Sequence, residues 1–246
     1  MKSFGISDIG LSRKENQDKV YLSSDGEIIN YFIVADGMGG VNGGEVASAI
    51  AIETIKTYID DNIKNIEFER EAIENIIKEA ILEANKNILQ KASKEREYRG
   101  MGTTVVLAIV YRNRVYIGHV GDSRIYRIRK NIIRQLTKDH SYVQALLDEG
   151  SITRKEAENH PQKNILLKVV GCEKDLEPDV LVKGFLKDDI LLMCTDGLTN
   201  MVPIKEIYDT IINGRDDLKN TCRKLISMAN ENGGYDNVSV ILISKD

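Results

Sequence analysis

The sequence predicts an α+β sandwich on three observations. Short, apolar, often β-branched runs recur along the chain; helical patterns gather into a few blocks; and the two do not alternate as βαβ units would require. Strands are expected at residues 3–8, 19–23, 31–35, 103–111, 114–120, 124–129, 179–185, 189–194 and 238–244, with Arg112-Asn113 as a hairpin turn between two of them. A helix over 45–63 puts Val46, Ala49, Ile50, Ile52, Ile55 and Ile59 largely on one stripe. Another over 70–92 does the same with Ile73, Ile76, Ile77, Ala80, Ile81, Ala84 and Ile88. A third, over 218–230, ends at the glycine pair Gly233-Gly234. Residues 136–171 differ: they are polar, carry Pro161, and suggest two short helices, near 141–149 and 153–159, inserted over the core.

With 246 residues and 42% hydrophobic content, the chain can fill one large core, so one domain over 1–246 is expected. A formal net charge of −4 gives no field for holding nucleic acid or an anionic membrane. No apolar run approaches the ~20 residues of a membrane span, and the first residues carry no apolar signal segment. Cys172, Cys194 and Cys222 form no C-x-x-C pair, which argues against disulfides and zinc and for a reducing cytoplasm.

Five aspartates stand beside the most apolar runs. Asp36 closes YFIVA, Asp122 follows VYIGHVG, Asp196 follows ILLMCT, Asp236 precedes NVSVILI, and Asp18 precedes KVYL. Any one alone reads as a solvated turn residue. Together they gather carboxylates at one edge of a core, where they repel one another unless cations lie between them. Oxygen ligands without clustered His or Cys favour Mg²⁺ or Mn²⁺. Two such ions can activate a water and clamp a phosphoryl group. Arg13 is a candidate phosphate anchor, because a guanidinium binds two phosphate oxygens at once. The glycines of 37–44 lack the lysine of a phosphate-binding loop and read as a tight strand-to-helix connection, and there is no G-x-S-x-G elbow. His119, His140 and His160 are far apart and show no metal spacing. His119 reads as a core residue, while His140 and His160 bracket the insertion.

The stretches SDIGLSRKENQD, VADGMGG, MGTTVV, VGDSRIYRI, LTKDHS, HPQKNIL, CTDGL and GYDNVSVI run in this order across residues 5–243. With them the chain resembles the metal-dependent serine/threonine protein phosphatases of the PPM type (type 2C), in their bacterial single-domain form. The resemblance implies two packed antiparallel β-sheets flanked by helix pairs, with metals at one end and a mobile flap, here about 136–171, that influences substrate choice. It implies that Asp36 bridges two Mn²⁺ or Mg²⁺ ions, with Gly37 ligating through its carbonyl. Asp196 and Asp236 would hold the first ion, and Asp122, with Asp196, a weaker third. Asp18 would orient bound waters, Arg13 would bind phosphate, and Asn237 would support the site.

Two positions depart from the pattern. Met38 stands where many relatives carry a histidine proposed as general acid, and Gln17 where many carry glutamate, which weakens direct ligation there. The reaction implied is hydrolysis of phosphoserine or phosphothreonine in proteins by metal-activated water, in line and without a phosphoenzyme. The partners implied are phosphoproteins modified by a cognate serine/threonine kinase, and the expected enzyme is a cytoplasmic monomer. Two readings stay open beside it: a phosphatase dedicated to one regulatory phosphoprotein, and a non-enzymatic pseudophosphatase, which would predict missing ligands.

Overall fold

A computed structural model describes residues 1–23, 29–65 and 67–245, the side chains of residues 41, 42 and 65 excepted. The first half runs β1 (Lys2–Asp8), β2 (Asp18–Leu22), β3 (Asn30–Met38), α1 (Gly40–Asn62), α2 (Arg70–Lys94), β4 (Gly102–Thr103), β5 (Val105–Tyr111) and β6 (Arg114–Val120). Next come β7 (Arg124–Arg129), β8 (Ile132–Gln135), α3 (Tyr142–Asp148), α4 (Arg154–Glu158) and β9 (Asp179–Gly184). The chain closes with β10 (Ile190–Cys194), α5 (Asp196–Thr199), α6 (Ile204–Asn213), α7 (Leu218–Glu231) and β11 (Val238–Ser244).

Two antiparallel sheets result, ordered β1-β11-β10-β7-β8 and β2-β3-β5-β6-β9, with the short β4 paired to β3. Their central strands are buried on both faces, which is why they read as unbroken apolar runs. Along β3, Phe32 and Val34 point between the sheets, while Tyr31, Ile33 and Ala35 point at α1 and α2. In β10, Leu191 and Met193 face inward, while Ile190, Leu192 and Cys194 face the side of α6 and α7. Three apolar layers therefore separate four structural layers: helices, sheet, sheet, helices. No helix among the described residues is long and apolar enough to cross a membrane.

The structure corrects several element boundaries. The strand expected at 103–111 is broken at Thr104, leaving β4 and β5. Helix α1 begins at Gly40 rather than at residue 45, so part of the expected connection is already helical. Strand β3 runs through Asp36 and Gly37 to Met38. The insertion holds its two expected helices. Ser141 caps α3 through Gln144 N, and Thr153 forms a capping box with Glu156 at α4. An isolated bridge Ser141↔Leu166 joins its two limbs, and Thr103↔Val170 ties its base to the core.

Candidate active site

Strand register carries the five aspartates to one end of the sandwich. Asp18 opens β2 directly opposite Asp36 on β3. Asp122 follows the end of β6, Asp196 follows β10 at the first residue of α5, and Asp236 lies just before β11. The two sheets meet here through Asp18, whose Oδ2 accepts from Thr195 Oγ1 (2.9 Å) and Ser239 Oγ (2.7 Å). Close backbone packing holds the arrangement. A Cβ on Gly37 would overlap Gly44 O, and one on Gly197 would overlap Asn237 O.

Asp36, Gly37, Asp122, Asp196, Asp236, Asn237, Gln17 and Arg13 line a common cavity of about 630 Å³, with Met38 on its wall and Asn164 and Leu166 reaching in from the insertion. Asp18 stands behind that lining, 1% exposed. Arg13 Nη2 donates to Asp236 Oδ2 at 2.8 Å. Asn237 ties the Arg13 loop to β11: its Nδ2 donates to Ile9 O and Glu15 O, each at 2.9 Å, and its Oδ1 accepts from Gln17 N at 2.8 Å. The Gln17 amide donates to Gly40 O at 3.3 Å. Thr104 Oγ1 accepts from Asp36 N (3.1 Å) and meets Ser123 Oγ (2.7 Å), a hydroxyl relay that sequence reading missed. Polar residues inside otherwise apolar strand ends, here Thr104, Thr195 and Ser239, were the available signal.

The carboxylates are electrostatically frustrated. Burial raises Asp18 to about 7 against the hydrogen bonds of Ser239 and Thr195, with Asp196 and Asp236 adding to the rise. Burial, then Asp196 and Asp139, raise Asp122 to about 8, with Arg124 opposing. Asp36 is driven well above the usual range by burial and then by Asp18, Asp196, Asp122 and Asp236. Asp196 is raised by burial and then by Asp236. Asp18 Oδ1 is buried and has no hydrogen-bond partner among the described residues. All-oxygen donors, mutual repulsion and an orphaned carboxylate oxygen fit hard divalent cations.

A raised carboxylate stabilises the fold fully below its unfolded value of 3.8, and that contribution is lost as pH rises through about 7 for Asp18 and about 8 for Asp122. Calorimetry with a chelator should therefore record a falling melting temperature from mildly acidic to mildly alkaline pH. Excess Mn²⁺, which binds the ionised form, should raise it most at the alkaline end. A chelated protein as stable at alkaline as at acidic pH would contradict this.

The histidine expectation needs correction. His119 is a core residue, 0% exposed, but it is not isolated: the His140 ring lies tilted against it with centroids 4.7 Å apart, and Asp179 joins them. His119 on β6 faces Asp179 on the paired strand β9, and the start of the insertion brings His140 to them, which linear spacing does not reveal.

The sequence pattern of protein phosphatase 2C matches residues 12–239. The serine/threonine phosphatase stp of Listeria welshimeri is 41% identical over 242 residues, covering 98% of this chain and 94% of that protein. The chain belongs to the protein phosphatase 2C family. It is accordingly a metal-dependent serine/threonine protein phosphatase. The 2C fold is equally plain: a serine/threonine phosphatase from S. agalactiae superposes with TM-score 0.92 at 32% identity, covering 100% of this chain and 99% of that one. The catalytic domain of the phosphatase PstP, in complex with two manganese ions, gives TM-score 0.85 at 30% identity, covering 98% and 96%. The two packed antiparallel sheets with helices outside them are thus the expected 2C architecture.

Proposed function

We propose that this 2C phosphatase hydrolyses phosphoserine and phosphothreonine in proteins at the aspartate-lined cavity, using two divalent cations, Mn²⁺ or Mg²⁺, and a weaker third. The observation that carries the reading is the Asp18–Asp36 pair. Two carboxylates directly opposite across antiparallel strands, one with a buried unpartnered oxygen, are costly without cations nearby. Asp36 would hold both principal ions, Gly37 would contribute its carbonyl, Asp196 and Asp236 would hold the first of them, and Asp122 with Asp196 would hold the third. Such ions, when bound, supply Lewis acidity and lower the pKa of bound water.

The chain's own residues do the rest. Arg13, exposed at the cavity rim and held by Asp236, is aimed to take two phosphate oxygens. Asp18, fixed by Thr195 and Ser239, orients solvent from behind Asp36. Asn237 keeps the Arg13 loop and Asp236 in register. Met38 cannot donate a proton, so the leaving oxygen takes one from solvent or another group. The substrates on this reading are phosphoproteins of an opposing bacterial serine/threonine kinase, met in the cytoplasm by a monomeric enzyme.

Phosphate release from a phosphothreonine peptide should require Mn²⁺ or Mg²⁺ and stop with a chelator; undiminished release in chelator would sink the reading. Arg13→Ala should raise KM for the peptide about tenfold with a smaller change in kcat, because a charge-assisted phosphate contact is worth roughly 1.5–3 kcal/mol. An unchanged KM would remove Arg13 from the phosphate site.

A further inference from the structure

His119, His140 and Asp179 each bring one ligand atom to within 4.8 Å of the others. The hydrogen bonds of His140 argue against a metal there. Gly121 N donates to His140 Nδ1 at 3.1 Å, so that nitrogen carries no proton, and Nε2–H is left to face Asp179 Oδ2 at 3.3 Å. Binding a metal through Nε2 would move the proton to Nδ1 and set two donors against each other. His119 Nε2 lies 3.0 Å from the Ser123 carbonyl, which only accepts, so it holds the proton of that ring.

The same geometry points elsewhere. His140 grips Gly121 twice: its ring accepts from Gly121 N, and its backbone N donates to Gly121 O at 2.8 Å. Gly121 sits at φ +105 with Thr104 packed where a Cβ would be, so this peptide has little freedom of its own. The next residue is Asp122, and Ser123 after it joins Thr104, which holds Asp36 N. On its other side, His140 O accepts from Leu167 N at 2.8 Å, on the returning limb of the flap that delivers Asn164 and Leu166 to the cavity. One residue thus holds the Asp122 loop with one set of atoms and the flap with another.

We propose that His140 is a positioning residue whose double clamp on Gly121 fixes how Asp122 enters the cavity, and so couples cation binding at Asp122 to the seating of the flap. This rests on the reading that Asp122 serves a cation.

The test is Mn²⁺ titration of the full chain by water proton relaxation, with hydrogen exchange of the Leu167 amide read in parallel. His140→Ala should weaken the weakest Mn²⁺ class by about tenfold or more and speed Leu167 exchange. In His140→Asn, the amide Oδ1 can take the place of Nδ1 toward Gly121, and affinity should return to within about threefold of wild type. Asp179→Asn leaves the clamp intact and should keep the affinity. Wild-type affinity in His140→Ala, or His140→Asn as weak as His140→Ala, overturns the proposal while leaving the proposed function standing. A wild-type chain that binds no Mn²⁺ removes both.

Discussion

Asp36→Asn is expected to lower turnover of a phosphothreonine peptide by about a thousandfold, while raising the melting temperature of the chelated protein. The two effects share one cause. A bridging carboxylate that holds Lewis acids against the phosphate contributes several kcal/mol to the transition state, and about 4 kcal/mol corresponds to roughly a thousandfold. Without cations the same carboxylate is a liability, because burial and the directly opposing Asp18 both resist its charge. Like charges directly opposite across strands cost up to roughly 1 kcal/mol. Relief of that repulsion should appear as a rise of about 2–4 °C for a chain of this size. Mn²⁺ should then raise the melting temperature of wild type well above that of the variant. A variant that keeps a substantial share of wild-type turnover, or that is destabilised in chelator, would mean that Asp36 does not hold the ions.

Gly37→Ala should be nearly as damaging, for a steric reason. The added methyl would overlap Gly44 O and come within 2.7 Å of Gln17 O, so β3 and α1 would have to part from the segment entering β2. Overpacking of this kind costs about 1–3 kcal/mol, or roughly 2–12 °C in melting temperature here. The displaced atoms are those that carry Asp36 and the Gly37 carbonyl, and a shift of about 1 Å can cost 10²-fold in rate. Gly43→Ala is the matched control within α1: its Cβ would lie 3.3 Å from Met101 Cβ, and it should leave both turnover and stability close to wild type. If Gly37→Ala melted and turned over like Gly43→Ala, the close backbone packing would not be holding the site.

What could be read in the sequence follows from how each signal arises. Central strands buried on both faces leave contiguous apolar runs, so β5, β6, β10 and β11 were legible almost to the residue. Edge strand β8 has one apolar pair, Ile132-Ile133, and went unseen. Helix α6 was missed although Ile207 and Ile211 stand one turn apart after Pro203. The onset of α1 was obscured because glycines open it against their propensity, Gly40 at a φ of +63 and Gly44 where a Cβ would meet Gln17 Oε1 and the Gly37 backbone. Each aspartate that lines the cavity was visible beside an apolar run, though Asp36 lies within β3 rather than past its end. The hydroxyls behind Asp18 and the His119–His140–Asp179 group were not, because only tertiary folding brings residues so distant in sequence together.

The most direct measurement is anomalous diffraction at the manganese edge from crystals grown with Mn²⁺. Two strong peaks bridged by Asp36, with the Gly37 carbonyl as a further ligand and Asp196 and Asp236 on one of them, are the predicted result. Peaks at His119, His140 and Asp179, with none between the aspartates, would contradict it.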